Sequence, residues 1–208
     1  MASPTDYYFV RVNGRTAHND PSKPDCYMEG EPPVYPATAY DYVEYCLRYD
    51  VVRLGWPGAG DLRRGVDVPE TTTCYGALSD HVRGHLREFR EIVVGAGVLM
   101  PDPHRPGVLF AGDVTLPYSY FFELPNHPFE CAHRVGVRWD LDPATARPRE
   151  YRAEELGVTT RGGWWLWAMH RLTRERHGEL LGKINAARGR TESPKPETRN
   201  PNQCPMPE

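Results

Sequence analysis

Apolar and polar positions along this chain follow two rhythms: short runs alternating every second residue, and longer stretches whose apolar positions recur every three to four residues. The first short run, DYYFVRV at 6–12, is aromatic and β-branched and closes at Asn13-Gly14, which predicts a strand and a turn. VVRLGW at 51–56 predicts another, with Val52, Leu54 and Trp56 on one face and Pro57-Gly58 as its stop. GAGVLMP at 95–101 predicts a short apolar strand running into the turn PDPHRPG. Between 107 and 141 three strands are expected in succession as an antiparallel meander: GVLFAGDVT, SYFFEL and CAHRVGVRW. In the last of these, His133, Val135, Val137 and Trp139 share one face, and Arg134, Gly136 and Arg138 share the other.

Helical spacing predicts a helix over 38–50, with Thr38 as N-cap and Tyr42, Cys46 and Tyr49 on one side. A second is expected over 80–93, capped by Asp80, burying Val82, Leu86, Phe89 and Val93 and exposing its arginines and histidines. The third and longest is expected over 162–187, with Trp164, Trp167, Leu172, Leu180 and Ile184 buried and Gly178 weakening its middle. YRAEELGV at 151–158 reads as one short helical turn. Five prolines between 20 and 36 exclude a central strand or a helix interior, so that segment is expected to be a long surface loop. The expected organisation is one domain over 1–188 and a disordered, proline-rich tail over 189–208.

Composition narrows the functional classes. The chain has 208 residues, 39% of them hydrophobic, with 12 Tyr and 5 Trp, enough apolar surface for one well-packed core. A formal net charge of -3 argues against a surface uniformly suited to polyphosphate and leaves room only for a focal basic patch. Five widely spaced cysteines with no CxxC make neither a disulfide framework nor a zinc signature. No continuous apolar run suggests a leader or a membrane span, so a cytoplasmic protein with no membrane partner is expected. The glycines of 55–65 lack the GxxxxGK[ST] phosphate loop, and no GxSxG marks a hydrolase. His127, Cys131 and His133 match no common zinc spacing, and neither a metal nor a cofactor is expected.

A strand ending in GDV, then Tyr118-x-Tyr120, a short proline-containing loop and His133-Arg134 leading to Trp139 resembles the PUA-like superfamily. The nearer likeness is to its EVE and YTH branch, including domains found with McrB-type and Mrr-type restriction proteins. The strand running into Gly55-Trp56 and the following Gly60-Asp61-Leu62 fit the same pattern, so the likeness spans roughly residues 7 to 180. It implies an α+β fold, with a curved, mainly antiparallel sheet or small β-barrel and two or three flanking helices. It also implies a reader of a flipped, modified base in DNA or RNA, within a defence or RNA-modification system and alongside a separate effector.

The residues themselves offer matching chemistry. Trp56, Tyr118, Tyr120 and Trp139 supply flat rings that stack on a base, and Arg53, His133, Arg134 and Arg138 supply cations for phosphates. A plainer reading of the same positions has Trp139 and Tyr120 as core and Tyr118 as merely exposed. Two other classes stay open: a metal-dependent nuclease or base hydrolase using Asp113 or Glu123, and an interaction module whose aromatic groove takes a peptide. No lysine completes a D...(D/E)xK pattern after Asp113, which weighs against the nuclease.

Overall fold

A computed structural model describes residues 6–12, 42–55, 59–64, 78–120, 133–158 and 168–190. In chain order these carry β1 (Tyr7–Val10), α1 (Tyr42–Arg48), β2 (Val51–Leu54), a 3-10 turn at Leu62–Arg64, α2 (Asp80–Arg90) and β3 (Gly97–Pro101). They continue with β4 (Val108–Tyr120), β5 (His133–Trp139), β6 (Glu150–Arg152), β7 (Met169–Leu172) and α3 (Arg174–Ala187). The seven strands form one sheet in the order β2-β5-β4-β3-β1-β7, with β6 also paired to β4. The architecture is α+β and the sheet is mixed: β1 runs parallel to β3, and the other pairings are antiparallel. The pairing path does not return on itself, so the barrel alternative is replaced by an open sheet.

Two strands expected within 107–124 are one. β4 runs unbroken for 13 residues through Pro117, because two register shifts against β5, at Val114/Leu116 and Leu116/Ser119, absorb the residue that cannot donate to a ladder. The shifts also re-aim side chains. Leu116 lies over Gly136 on one face and is exposed, while Tyr118 turns back to the other face and is buried.

Each face of the sheet has its own core. On the first, Leu86 and Phe89 of α2 and Tyr42 and Cys46 of α1 pack on Val52, Leu54, Val98, Val114, Val135 and Val137. Full burial of a side chain such as Phe89 contributes about 1.5–3 kcal/mol. On the second, Leu181 and Ile184 of α3 pack on Tyr7, Phe9, Leu99, Leu109 and Leu172. Tyr7 lies flat over its strand partner Gly97, where an added Cβ would stand 2.3 Å from the ring, so only glycine fits there.

Several expected elements differ in detail. The N-cap of α2 is Ser79, whose Oγ accepts from Val82 N–H, and Val93 lies beyond the helix and is exposed. The expected helix over 162–187 is a strand followed by a helix: residues 169–172 pair with β1, and α3 starts only at Arg174. Sheet pairing outweighs helix propensity there. Non-helical angles at His177, beside Gly178, kink α3 where its middle was expected to be weak. Tyr151 belongs to β6 instead of a helical turn, and buries its ring in the second core. Thr38, the 20–36 loop, the tryptophans at 164, 165 and 167, and residues 191–208 lie outside the described residues.

Candidate functional site

At the end of β4 and the start of β5, Tyr120 pairs with His133, and the bulged backbone brings Tyr118 to the same face. Tyr118 Oη lies 2.8 Å from His133 Nδ1 and accepts from Leu62 N–H at 3.3 Å. The phenol thus joins the His133 imidazole to the backbone of the 3-10 turn. The Tyr120 ring stands over His133 at 5.1 Å, and Phe89 meets Tyr118 edge-on at 6.3 Å. Asp61 and Arg63 flank this cluster on the 3-10 turn, joined to each other through hydrogen bonds of 2.6 to 3.1 Å. Burial, reinforced by the charge of Asp61, pushes the Tyr120 phenol up to about 12; burial likewise raises Tyr118. Both rings are therefore neutral phenols across the physiological range. Tyr118 and His133 form the floor of the cluster, and Tyr120 is its half-exposed ring.

The other residues expected at the site are distributed differently. Trp139 sits six residues along β5 from His133, roughly 20 Å at the rise of a strand. It is core, with Nε1 donating to the Cys46 carbonyl at 3.0 Å. Arg53 and Arg134 are cross-strand partners on the sheet face opposite Tyr118 and are only 4% and 6% exposed. Arg53 covers the Tyr42 ring at 3.8 Å, and Arg134 Nη1 donates to Tyr45 Oη at 3.0 Å. Both guanidinia thus reach tyrosines of α1, at the same end of the sheet as Tyr118. Arg138, 57% exposed, lies on that same opposite face, 3.6 Å from Asp113. His133 is fully buried and acts as a hydrogen-bonding partner instead of a surface cation. Trp56 and Glu123 lie outside the described residues, as do His127 and Cys131.

A second polar centre, not anticipated from the sequence, lies under the end of α3. The buried Arg188 guanidinium grips Asp140 through Nε to Oδ2 at 2.6 Å and Nη2 to Oδ1 at 2.7 Å. Its Nη1 donates to Tyr7 Oη at 2.8 Å and its Nη2 to Asp113 Oδ1 at 3.2 Å. Tyr7 in turn donates to Asn185, Tyr151 donates to Asp140, and Arg190 donates to the second oxygen of Asp113. Burial alone would disfavour the Arg188 charge, but the surrounding carboxylates outweigh it and raise its pKa. Burial likewise pushes Asp140 up, and the Arg188 hydrogen bond and charge more than offset that and hold its carboxyl below the usual range. The network includes Arg190, the last of the described residues 168–190. No local motif announces the network, since its members come from β1, β4, β6 and α3 and from the segments following β5 and α3.

No protein-family model matches this chain, and no curated protein matches it in sequence. The fold and its two polar centres therefore define the class on their own: an α+β protein with an open mixed sheet, carrying a phenol–imidazole cluster on one face and a buried arginine–carboxylate network on the other. Among the described residues no helix is long and apolar enough to cross a membrane, and no three His, Cys, Asp or Glu side chains converge as a metal site.

Proposed function

We propose that this chain is a nucleic-acid-binding module that reads a flipped, modified base at the β4–β5 end of its sheet. The observation that carries the reading is the cluster of Tyr118, Tyr120 and His133, two neutral phenols and an imidazole brought together beside Asp61 and Arg63. A base leaving its stack costs a few kcal/mol, and each stacked ring returns about 1–3 kcal/mol. Tyr120 is the stacking surface, and buried Tyr118 and His133 back it. Arg63, on the rim, is the cation placed for a flanking phosphate. The likeness to PUA-like readers of the EVE and YTH branch rests on these same positions, and on that likeness the module serves a defence or RNA-modification system with a separate effector.

The hydrolase reading is not favoured, because Asp113 already accepts from Arg188 and Arg190 and so is poorly placed to bind a metal or activate water. The test is equilibrium binding of the pure chain to matched DNA and RNA oligonucleotides with and without common base modifications. Preference for one modified oligonucleotide over its unmodified twin supports the reading. Equal affinity for every pair, or no binding to any, contradicts it.

A further inference from the structure

On α2, far in function from the aromatic cluster, the sequence His81-Val-Arg-Gly-His85 puts two imidazoles one helical turn apart on the same side. Their Nε2 atoms are 3.0 Å apart, closer than the 4.3 Å between ring centres, so the nitrogen edges of the two rings converge. A straight N–H···N bond lying along both ring axes would set the centres about 5.3 Å apart. The shorter spacing shows that the ring axes are inclined to the line between the nitrogens, as they are in two ligands of one ion. With metal–nitrogen bonds of about 2.0–2.1 Å, a 3.0 Å separation corresponds to an angle of about 94° at the metal, within the range of four- to six-coordinate sites.

We propose that His81 and His85 form a site for a divalent transition-metal ion of the zinc type, bound through both Nε2 atoms and completed by water. Imidazole nitrogen is a ligand that suits Zn²⁺ and Ni²⁺ and offers little to Mg²⁺ or Ca²⁺. The two residues divide the work. His85 is buried against the sheet side of α2 and fixes the site in place, and exposed His81 closes over the ion from solvent. The carboxylate nearest in sequence, Asp80, is bonded to Arg83, so it holds the start of the helix and leaves the imidazoles as the ligand pair. Two protein ligands leave the remaining coordination positions open to exchangeable molecules.

The test is titration of the untagged full-length chain with Zn²⁺, followed by calorimetry and by the imidazole nitrogen NMR spectrum. Zinc is expected to move the Nε2 resonances of His81 and His85 and to leave that of buried His133 in place. Loss of an outer-shell partner alone weakens metal binding about 10–100-fold, so His81→Ala, an exposed change that spares the core, should lower zinc affinity at least tenfold. Mg²⁺ should do nothing in either protein. Zinc affinity unchanged in His81→Ala, or His81 and His85 resonances unmoved in saturating zinc, would overturn the proposal and leave a pair that merely shares a proton.

Discussion

The two buried polar centres sit on opposite faces of one strand, β4, five residues apart, and they solve the problem of burial in opposite ways. Around Asp113 the solution is charge: guanidinia and carboxylates neutralise one another, with Arg188 donating to Asp113, Asp140 and Tyr7. Around Tyr118 the solution is aromatic, a neutral phenol bonded to an imidazole and a backbone N–H, with aromatic rings on either side. A saturated charge network is costly to interrupt and has no reason to admit a ligand, so it locks α3 to the sheet. The aromatic cluster has no such lock and carries the partly buried Tyr120 ring at its edge. Their difference separates what holds the fold from what the fold presents.

Breaking the charged centre is expected to have the largest effect on stability. Arg188→Ala leaves Asp113 and Asp140 buried without their main partner and should cost about 3–5 kcal/mol, read by denaturant unfolding. Base preference, measured at a temperature where the variant is folded, should survive. Acid offers a second way in. The folded carboxyl of Asp140 lies below its unfolded value near 3.9, so its stabilisation is complete above about pH 4 and is lost as pH falls through the folded value. Melting temperature followed downward from pH 6 should fall on that acid limb, and Asp140→Asn should flatten it.

The neutral centre should respond less in stability and more in binding. Tyr118→Phe removes the hydroxyl joining His133 to Leu62 and leaves both groups short of a buried partner, which should cost about 1–3 kcal/mol of folding. Tyr120→Ala, at a half-exposed ring, should cost under about 1 kcal/mol in folding but roughly 1–3 kcal/mol in affinity for a base. A Tyr120→Ala protein that loses more stability than Arg188→Ala would collapse the distinction between the two centres.

The sequence made the sheet legible wherever alternation was strong. Val135, Val137 and Trp139 face one core as period two requires, and Val52 and Leu54 face the same one. It misled where tertiary pairing overrode a local signal. Residues 169–172 look helical until β1 supplies hydrogen bonds, and Pro117 looks like a strand end until two bulges absorb it. Of the aromatic residues singled out together, Tyr118, Tyr120 and His133 meet at one end of the sheet, whereas Trp139 shares their face but not their end of the strand. Arg53 and Arg134 looked like surface cations because a period-two pattern tells faces apart without telling what covers them, and both are buried. The Arg188 network was invisible because its partners are as much as 181 residues apart in the chain.

The central claim, that the Tyr118 end of the sheet reads a base, is tested most directly by fluorescence anisotropy of Tyr120→Ala against the preferred modified oligonucleotide and its unmodified twin across a salt series. The account predicts that the preference disappears while the slope of log affinity against log salt stays as in the unaltered chain, because stacking discriminates and phosphate contacts set the slope. Preference retained in full in Tyr120→Ala, with the salt slope reduced instead, would contradict it.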